Sequence, residues 1–347
     1  MSSHIKGNVC QVFHGQTLHH ATTHLQMQTM RELTNETQLL RLIRDVGIHR
    51  PDGPNCHPKW ANAKMYYGDE WPHAISTSVK ERVRPGMPDA CAAPSLPVTT
   101  NDEACARRQT CWYPIGLWQL PRQLSCALLS LSRLHIRTAA TIGTFTGWTD
   151  VFMYSYLRRV HEMRGFGDKS MLSSIQRPFR AATVDVNDQR TPCVEHLMNR
   201  EHIRFIHQSI PTEGPQRILQ GLASEFQHDM DTEGETTSVA LIDLCFIDAN
   251  HSYAGVMQDI IQAWPFCRVL ALHDTRQATG VKLAWADLKH RAALSKEKAR
   301  TAHMRRADEA FECHAPLRDE NGRFMASPKR MGIGIYVKAE PEGTVPR

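Results

Sequence analysis

The sequence lacks any apolar run near the roughly 18 residues that a membrane-spanning helix needs. Its richest stretch, Cys126 to Leu131, is already interrupted by Ser130, so no membrane span is expected. None of its ten cysteines, scattered from Cys10 to Cys313, falls in a Cys-x-x-Cys pair, and the ligand spacing of the common zinc modules is missing. Cys91, Cys105 and Cys111, with Cys56 and His57 upstream, leave a zinc site or a local bridge open. Cys126, Cys245 and Cys267 sit in apolar segments where a thiol packs as a small hydrophobe. Reduced thiols and a cytoplasmic location are therefore expected. A strong charge bias is also missing: 41 Lys+Arg against 36 Asp+Glu leave +5, too little for a dedicated polyanion binder. The basic stretch Lys282 to Arg306 is interspersed with Asp287 and Glu297 and reads as a solvated helix face, so nucleic acid is not an expected partner. Residues 1–31 contain no Asp or Glu, yet Lys6 is the only cationic Lys or Arg before Arg31. Neither an organelle presequence nor a secretory signal fits that pattern.

What is present is a chain of 347 residues, 41% hydrophobic and 22% charged, enough for one large domain with an extension or for two. Residues 1–24 are polar and histidine-bearing and are expected to form a flexible tail. The first firm helix spans Glu36 to Val46, with Asn35 as its cap, Leu39, Leu40 and Ile43 in an apolar stripe, and Gly47 at its end. Pro85, Pro88, Pro94 and Pro97 rule out a long helix farther on, so residues 25–115 read as an irregular N-terminal cap. Its aromatics Trp60, Tyr66, Tyr67 and Trp71, with Trp112 and Trp118, either wall an apolar pocket or pack against a sheet edge.

From residue 116 to 338 short β-type runs alternate with amphipathic helical segments, the signature of a parallel sheet with crossover helices. Strands are expected at Thr138–Ile142, Arg180–Val186, Ile203–His207, Asp243–Asp248, Val269–Leu272, Phe311–His314 and Ile333–Lys338. The last two are joined without a helix and so form an antiparallel hairpin. Residues 339–347 complete the chain as a short tail. The fold class is α/β, a doubly wound sheet with an antiparallel edge.

Ligands bind such sheets at the carboxyl ends of the parallel strands. The first end reads Thr141-Ile142-Gly143-Thr144-Phe145-Thr146-Gly147, a glycine turn that lets a ligand approach the backbone, or one that serves turn geometry alone. The second ends in Asp185, whose carboxylate suits a pair of ribose hydroxyls or is simply solvated. The fourth gives Asp248-Ala-Asn-His251-Ser-Tyr and the fifth His273-Asp274-Thr. On strands about 4.8 Å apart, Asp248 and Asp274 face one cleft and suit Mg²⁺. His251 and His273 are the nearby proton acceptors. The competing structural reading makes Asp248 the cap of the following helix.

Thr-Ile-Gly-Thr-Phe-Thr-Gly, Thr-Val-Asp-Val, Phe-Ile-Asp-Ala-Asn-His-Ser-Tyr and Leu-His-Asp-Thr, in this order, resemble class I S-adenosylmethionine (SAM)-dependent methyltransferases, in particular the small-molecule O-methyltransferase-like branch. The resemblance covers Ile115 to Lys338. It implies a Rossmann-like sheet of seven strands, SAM as methyl donor and a small-molecule acceptor. Gly143, Thr144, Phe145 and Gly147 would line the methionine and ribose parts of SAM, Asp185 would hold the ribose, and Asp248 would stand where cofactor meets acceptor. Asp274 would match the metal position of the divalent-dependent members, with Asp248 as the second ligand. Catalysis would fall to Asp248, His251 and His273. The family carries Glu or Asp where this chain has Thr141. Either the lost carboxylate weakens binding, or a neighbour replaces it. A non-catalytic member, or one with hydroxylase or sugar-tailoring chemistry, stands as the alternative. A homodimer stays open.

Overall fold

Thr138–Ile142 (β1) is buried along its whole length, as a strand covered on both faces of a parallel sheet must be. The computed structural model describes residues 18–19, 21–46, 121–165, 178–190, 192–208, 214–231, 241–276, 278–301, 307–313 and 332–339. Within them, helical residues 21–27 (α1) precede Met30–Leu33 (α2), Glu36–Val46 (α3) and Pro121–Leu131 (α4). After β1 come Trp148–Gly165 (α5), Arg180–Asp185 (β2), Pro192–Arg200 (α6), Ile203–His207 (β3) and Gly214–Asp231 (α7). Ile242–Ile247 (β4), Tyr253–Ala263 (α8), Cys267–His273 (β5), Thr279–Thr301 (α9), Glu309–Cys313 (β6) and Ile333–Val337 (β7) complete the order.

The seven strands form one sheet in the order β3-β2-β1-β4-β5-β7-β6. The first five are mutually parallel, and β7 runs antiparallel between β5 and β6. This is the expected doubly wound sheet with an antiparallel edge. Strand order reverses at β1, which lies between β2 and β4, and that switch point opens a crevice above the carboxyl ends.

Alternation along β1 sends Ala139 to one face and Ala140 and Ile142 to the other. The first face packs with Trp148, Val151, Phe152, Val194 and Leu197. The second packs with Leu222, Val256, Ile260 and Trp285. Burial of each such large side chain contributes about 2 kcal/mol.

Leu18, Ala21 and Leu25 are fully buried in the first layer with Leu33, Leu39 and Ile43. Within the segment expected as a loose tail up to residue 24, the described residues 18–19 and 21–24 are helical, and Leu18, Ala21 and Thr22 are fully buried. Tyr156 Oη donates to the Leu33 carbonyl at 3.0 Å and Arg159 to that of Gln28 at 3.1 Å, fixing these helices on α5. The expected cap aromatics, Trp60 to Trp118, and the Cys56 to Cys111 group lie outside the described residues.

The thiol expectation is corrected. Cys126 on α4 is bridged to Cys313 on β6, across 187 positions of sequence, and Cys245 to Cys267. Among the described residues no helix is long and apolar enough to cross a membrane.

Candidate active site

The β1 turn is built on backbone, not side chains. Gly143 has φ +94°, and a Cβ there would fall on the backbone of Asp248 and Ala249. Its N–H donates to Val184 O at 2.9 Å, and Asp248 N donates to Ile142 O at 2.9 Å, so the ends of β2, β1 and β4 are laced together at this point. Gly147, at φ +75°, lets the start of α5 settle against Met198 and Val194. Between them Phe145 is held at φ +51°, and its N–H donates to Asp185 Oδ2 at 2.7 Å. Asp185 Oδ1 accepts from Asn187 N at 2.9 Å. Each carboxylate oxygen keeps a lone pair for a hydroxyl donor. Thr144, by contrast, turns inward and donates to Thr183 Oγ1 at 2.7 Å; it secures the turn against β2.

Beyond β4 and β5 the four residues singled out in the sequence meet. His273 is 4% exposed, and its Nδ1 stands 3.1 Å from Asp248 Oδ1 and 3.6 Å from Asp274 Oδ1. His251 Nε2 stands 3.2 Å from Asp274 Oδ2 and 3.7 Å from Asp248 Oδ1. Burial opposes charge on His273, but the two carboxylates outweigh it and raise the imidazole to about 9. His273 is thus a cation at neutral pH, and its buried Nε2 has no hydrogen-bond partner. His251, about half exposed, is raised by its hydrogen bond to Asp274 against the opposing effect of burial. Asp248 does not cap α8. Ser252 does, accepting from Gly255 N at 3.1 Å, which leaves the Asp248 carboxylate turned to the cleft histidines.

This donor set does not fit a divalent ion at Asp248 and Asp274. An imidazolium N–H already lies between the two carboxylates, and among the described residues no three His, Cys, Asp or Glu side chains are arranged to hold a metal. What the set offers SAM is Asp185 at the end of β2, with a lone pair on each carboxylate oxygen for a ribose hydroxyl; Gly143 and Gly147 serve the packing of the turn against β4 and α6.

One residue of this region was not singled out in the sequence. Asp150, in the first turn of α5, is 2% exposed and accepts from Thr141 Oγ1 at 2.6 Å. Thr141 Oγ1 is also 2.5 Å from Tyr154 Oη. Burial lifts the Asp150 carboxyl to about 8; the Thr141 hydrogen bond opposes this, and the charges of Asp248 and Asp185 push it further up. The available signal was the helix itself. Trp148 and Val151 to Leu157 are apolar almost without break, and a helix that is hydrophobic all round is buried with whatever polar side chains it carries.

No family model matches the chain and no curated protein does. Among solved structures, it is similar to the O-methyltransferase TomG from Streptomyces achromogenes in complex with SAM (13% identity, 69% of this chain and 87% of that one, TM-score 0.36). It is also similar to an O-methyltransferase from Bacillus cereus in complex with SAH (12%, 68% and 88%, TM-score 0.37). The Podospora anserina methyltransferase PaMTH1, SAH-bound, gives 13%, 64% and 80% with a TM-score of 0.32. Scores of this size carry no assignment. The fold rests on the strand order itself, and with it the chain is a Rossmann-like doubly wound α/β protein whose conspicuous carboxylates gather at the carboxyl edge of its sheet.

Proposed function

We propose that the chain is a SAM-dependent methyltransferase acting on an oxygen of a small-molecule acceptor. The observation that carries this reading is the crevice at the β1 switch point. The β1 glycine turn, Asp185 on the turn's own N–H, and Asp248 beside two histidines are brought there by four neighbouring strand ends, β2, β1, β4 and β5.

SAM supplies an activated methyl group on a sulfonium. The protein's part is to align donor and acceptor and to exclude water. Gly143 and Phe145 present backbone to the cofactor, and Asp185 accepts the ribose hydroxyls. Asp248 would orient the acceptor hydroxyl at the junction, and His251, the more exposed imidazole, would take its proton. His273 enters already protonated, so its role is to hold Asp248 in place and balance its charge.

The test is thermal unfolding with and without SAM, each with and without Mg²⁺, followed by assay of S-adenosylhomocysteine release over phenols, carboxylic acids and sugars. Ligand at 100 times its Kd stabilises by about 2.7 kcal/mol. A shift abolished in Asp185→Ala, with product formed from an oxygen acceptor, supports the reading. No shift at millimolar SAM overturns it in favour of a binding protein, and a further Mg²⁺ shift lost in Asp274→Ala restores the metal-assisted route. The expected cytoplasmic location is tested in the same preparation: disulfides persist in oxidising compartments, and thiol mapping of the native protein shows whether Cys126 and Cys313 are bridged where it works.

A further inference from the structure

The long helix α9 carries six Lys or Arg residues against two acids, a surplus of four in a chain whose net charge is +5. All six cations are exposed, while Val281, Trp285, Leu288 and Ala292 turn inward. Lys282, Lys289 and Lys296 recur every seven residues and so share one side of the helix. The acids nearby are already engaged. Asp287 accepts from Tyr253 Oη at 2.7 Å, and Glu297 pairs with Arg300 at 2.8 Å. On β6, Glu312, which Lys289 faces, is held by Thr275 and Arg276.

The same surface is apolar where water would favour polar side chains. Leu283 and Leu294 are 52% and 58% exposed. Eleven residues apart, they stand on one line of the helix about three turns from each other, with the exposed Ala286 and Ala293 beside them. Helix α8 runs alongside: Tyr253 reaches Asp287, and Trp264 lies under the Arg291 guanidinium at 4.2 Å. Between these two contacts, on the same stripe of α8, Ile261 is 64% exposed. Apolar side chains flanked by lysines suit the boundary between lipid headgroups and acyl chains. The leucines enter it, and the lysine stems keep their ammonium groups among the headgroups. A nucleic acid would use the cations and leave the leucines in water.

We infer that the exposed face of α9, with Ile261 of α8, is a docking surface for a membrane of anionic lipid, on which the protein lies without spanning it. Charge complementarity selects the partner, because each cation near an anionic leaflet strengthens binding by about fivefold. Gly280, in the first turn of α9, packs against the backbone of His251, Ser252 and Tyr253, so the docking face begins beside the candidate active site. The inference is independent of the cofactor reading.

The experiment is sedimentation of the full chain with vesicles of phosphatidylcholine alone and of phosphatidylcholine with phosphatidylserine. Binding is expected only with phosphatidylserine, and it should fall at high salt as the charges are screened. Lys282→Gln with Lys296→Gln is expected to weaken it by about twentyfold or more, and Leu283→Gln with Leu294→Gln by about tenfold. All four side chains are exposed, so each variant should keep the Tm of the unaltered protein; Lys289→Gln with Lys298→Gln repeats the charge test at other turns. No sedimentation with phosphatidylserine vesicles at low salt overturns the inference, and so does equal binding to both vesicles. A leucine variant that binds vesicles as tightly as the unaltered protein overturns it too. If a single-stranded RNA or a DNA duplex binds where vesicles do not, and only the lysine substitutions weaken it, the face is a nucleic-acid site and the membrane inference fails.

Discussion

At the amino edge of the sheet, Asp243 accepts from Arg137 N at 2.8 Å, from Thr138 N at 3.1 Å and from Arg268 Nε at 3.3 Å. Lys338 nearby donates to Trp264 O. Charge there is matched, donor for acceptor. At the carboxyl edge, Asp248 and Asp274 meet His251 and His273, while Asp150 is held by Thr141 and Asp185 by the Phe145 N–H. Backbone conformation divides the same way. Of the seven described residues at positive φ, Gly143, Phe145, Gly147, Asp274 and Gly332 lie at the carboxyl edge, and His135 and His202 at the other. Left-handed non-glycine residues cost of order 1–3 kcal/mol each. Two such residues sit at each edge, so strain is shared; what sets the carboxyl edge apart is its positive-φ glycines and the carboxylates gathered around two histidines.

That contrast can be broken by substitution. Asp243→Ala should have the largest effect on stability, a loss of about 3 kcal/mol by urea unfolding, because it strips an acceptor from two backbone N–H groups and from Arg268. SAM affinity of the folded protein should stay as it was; a fall in affinity would mean the edges are coupled. Gly143→Ala should cost about 2 kcal/mol, since neither Asp248 nor Ala249 backbone can retreat from the new Cβ, and here SAM binding should disappear with it. The smallest effect is a pH slope. The Asp150 carboxyl titrates at about 8 when folded against 3.8 in the open chain, so between those values the folded state binds the extra proton. Its contribution is full below about pH 4 and is lost as pH rises through 8, at up to about 1.4 kcal/mol per pH unit. Urea midpoints at pH 6.5 and 7.5 should converge in Asp150→Asn, in which Thr141, Tyr154, Asp185 and Asp248 still face the altered side chain.

Much of this was legible in the chain. The β1, β3 and α3 limits coincide with the sequence reading because β-branched runs there end at glycine, histidine or a cap. The meeting of Asp248, His251, His273 and Asp274 also follows from two adjacent strand ends. Three things were not legible. No helix was assigned to Pro192–Arg200 or to Gly214–Asp231, although Cys193, Val194, Leu197 and Met198 bury one stripe of the first and Leu219, Leu222, Ala223 and Phe226 one of the second. The Asp248 carboxylate's freedom depended on Ser252 taking the cap, a choice between two competent residues that spacing leaves undecided. Whether Asp248 and Asp274 would hold a metal or an imidazolium depended on the rotamer and burial of His273, which no linear pattern encodes. The pairing of Cys126 with Cys313 is of the same kind, since it needs α4 and β6 to be placed side by side in space.

That pairing has a further consequence. Every strand from β1 to β5 and the helices between them lie on the stretch closed by Cys126 and Cys313. In covalent terms the domain is a ring with two tails, α1 to α3 leading in and β7 leading out. On a chain-entropy view, closing a ring of that size removes about 5 kcal/mol of freedom from the unfolded chain. A single cut anywhere inside the ring would leave one molecule and not two fragments, and β7, hydrogen-bonded between β5 and β6, belongs to the stretch outside the ring.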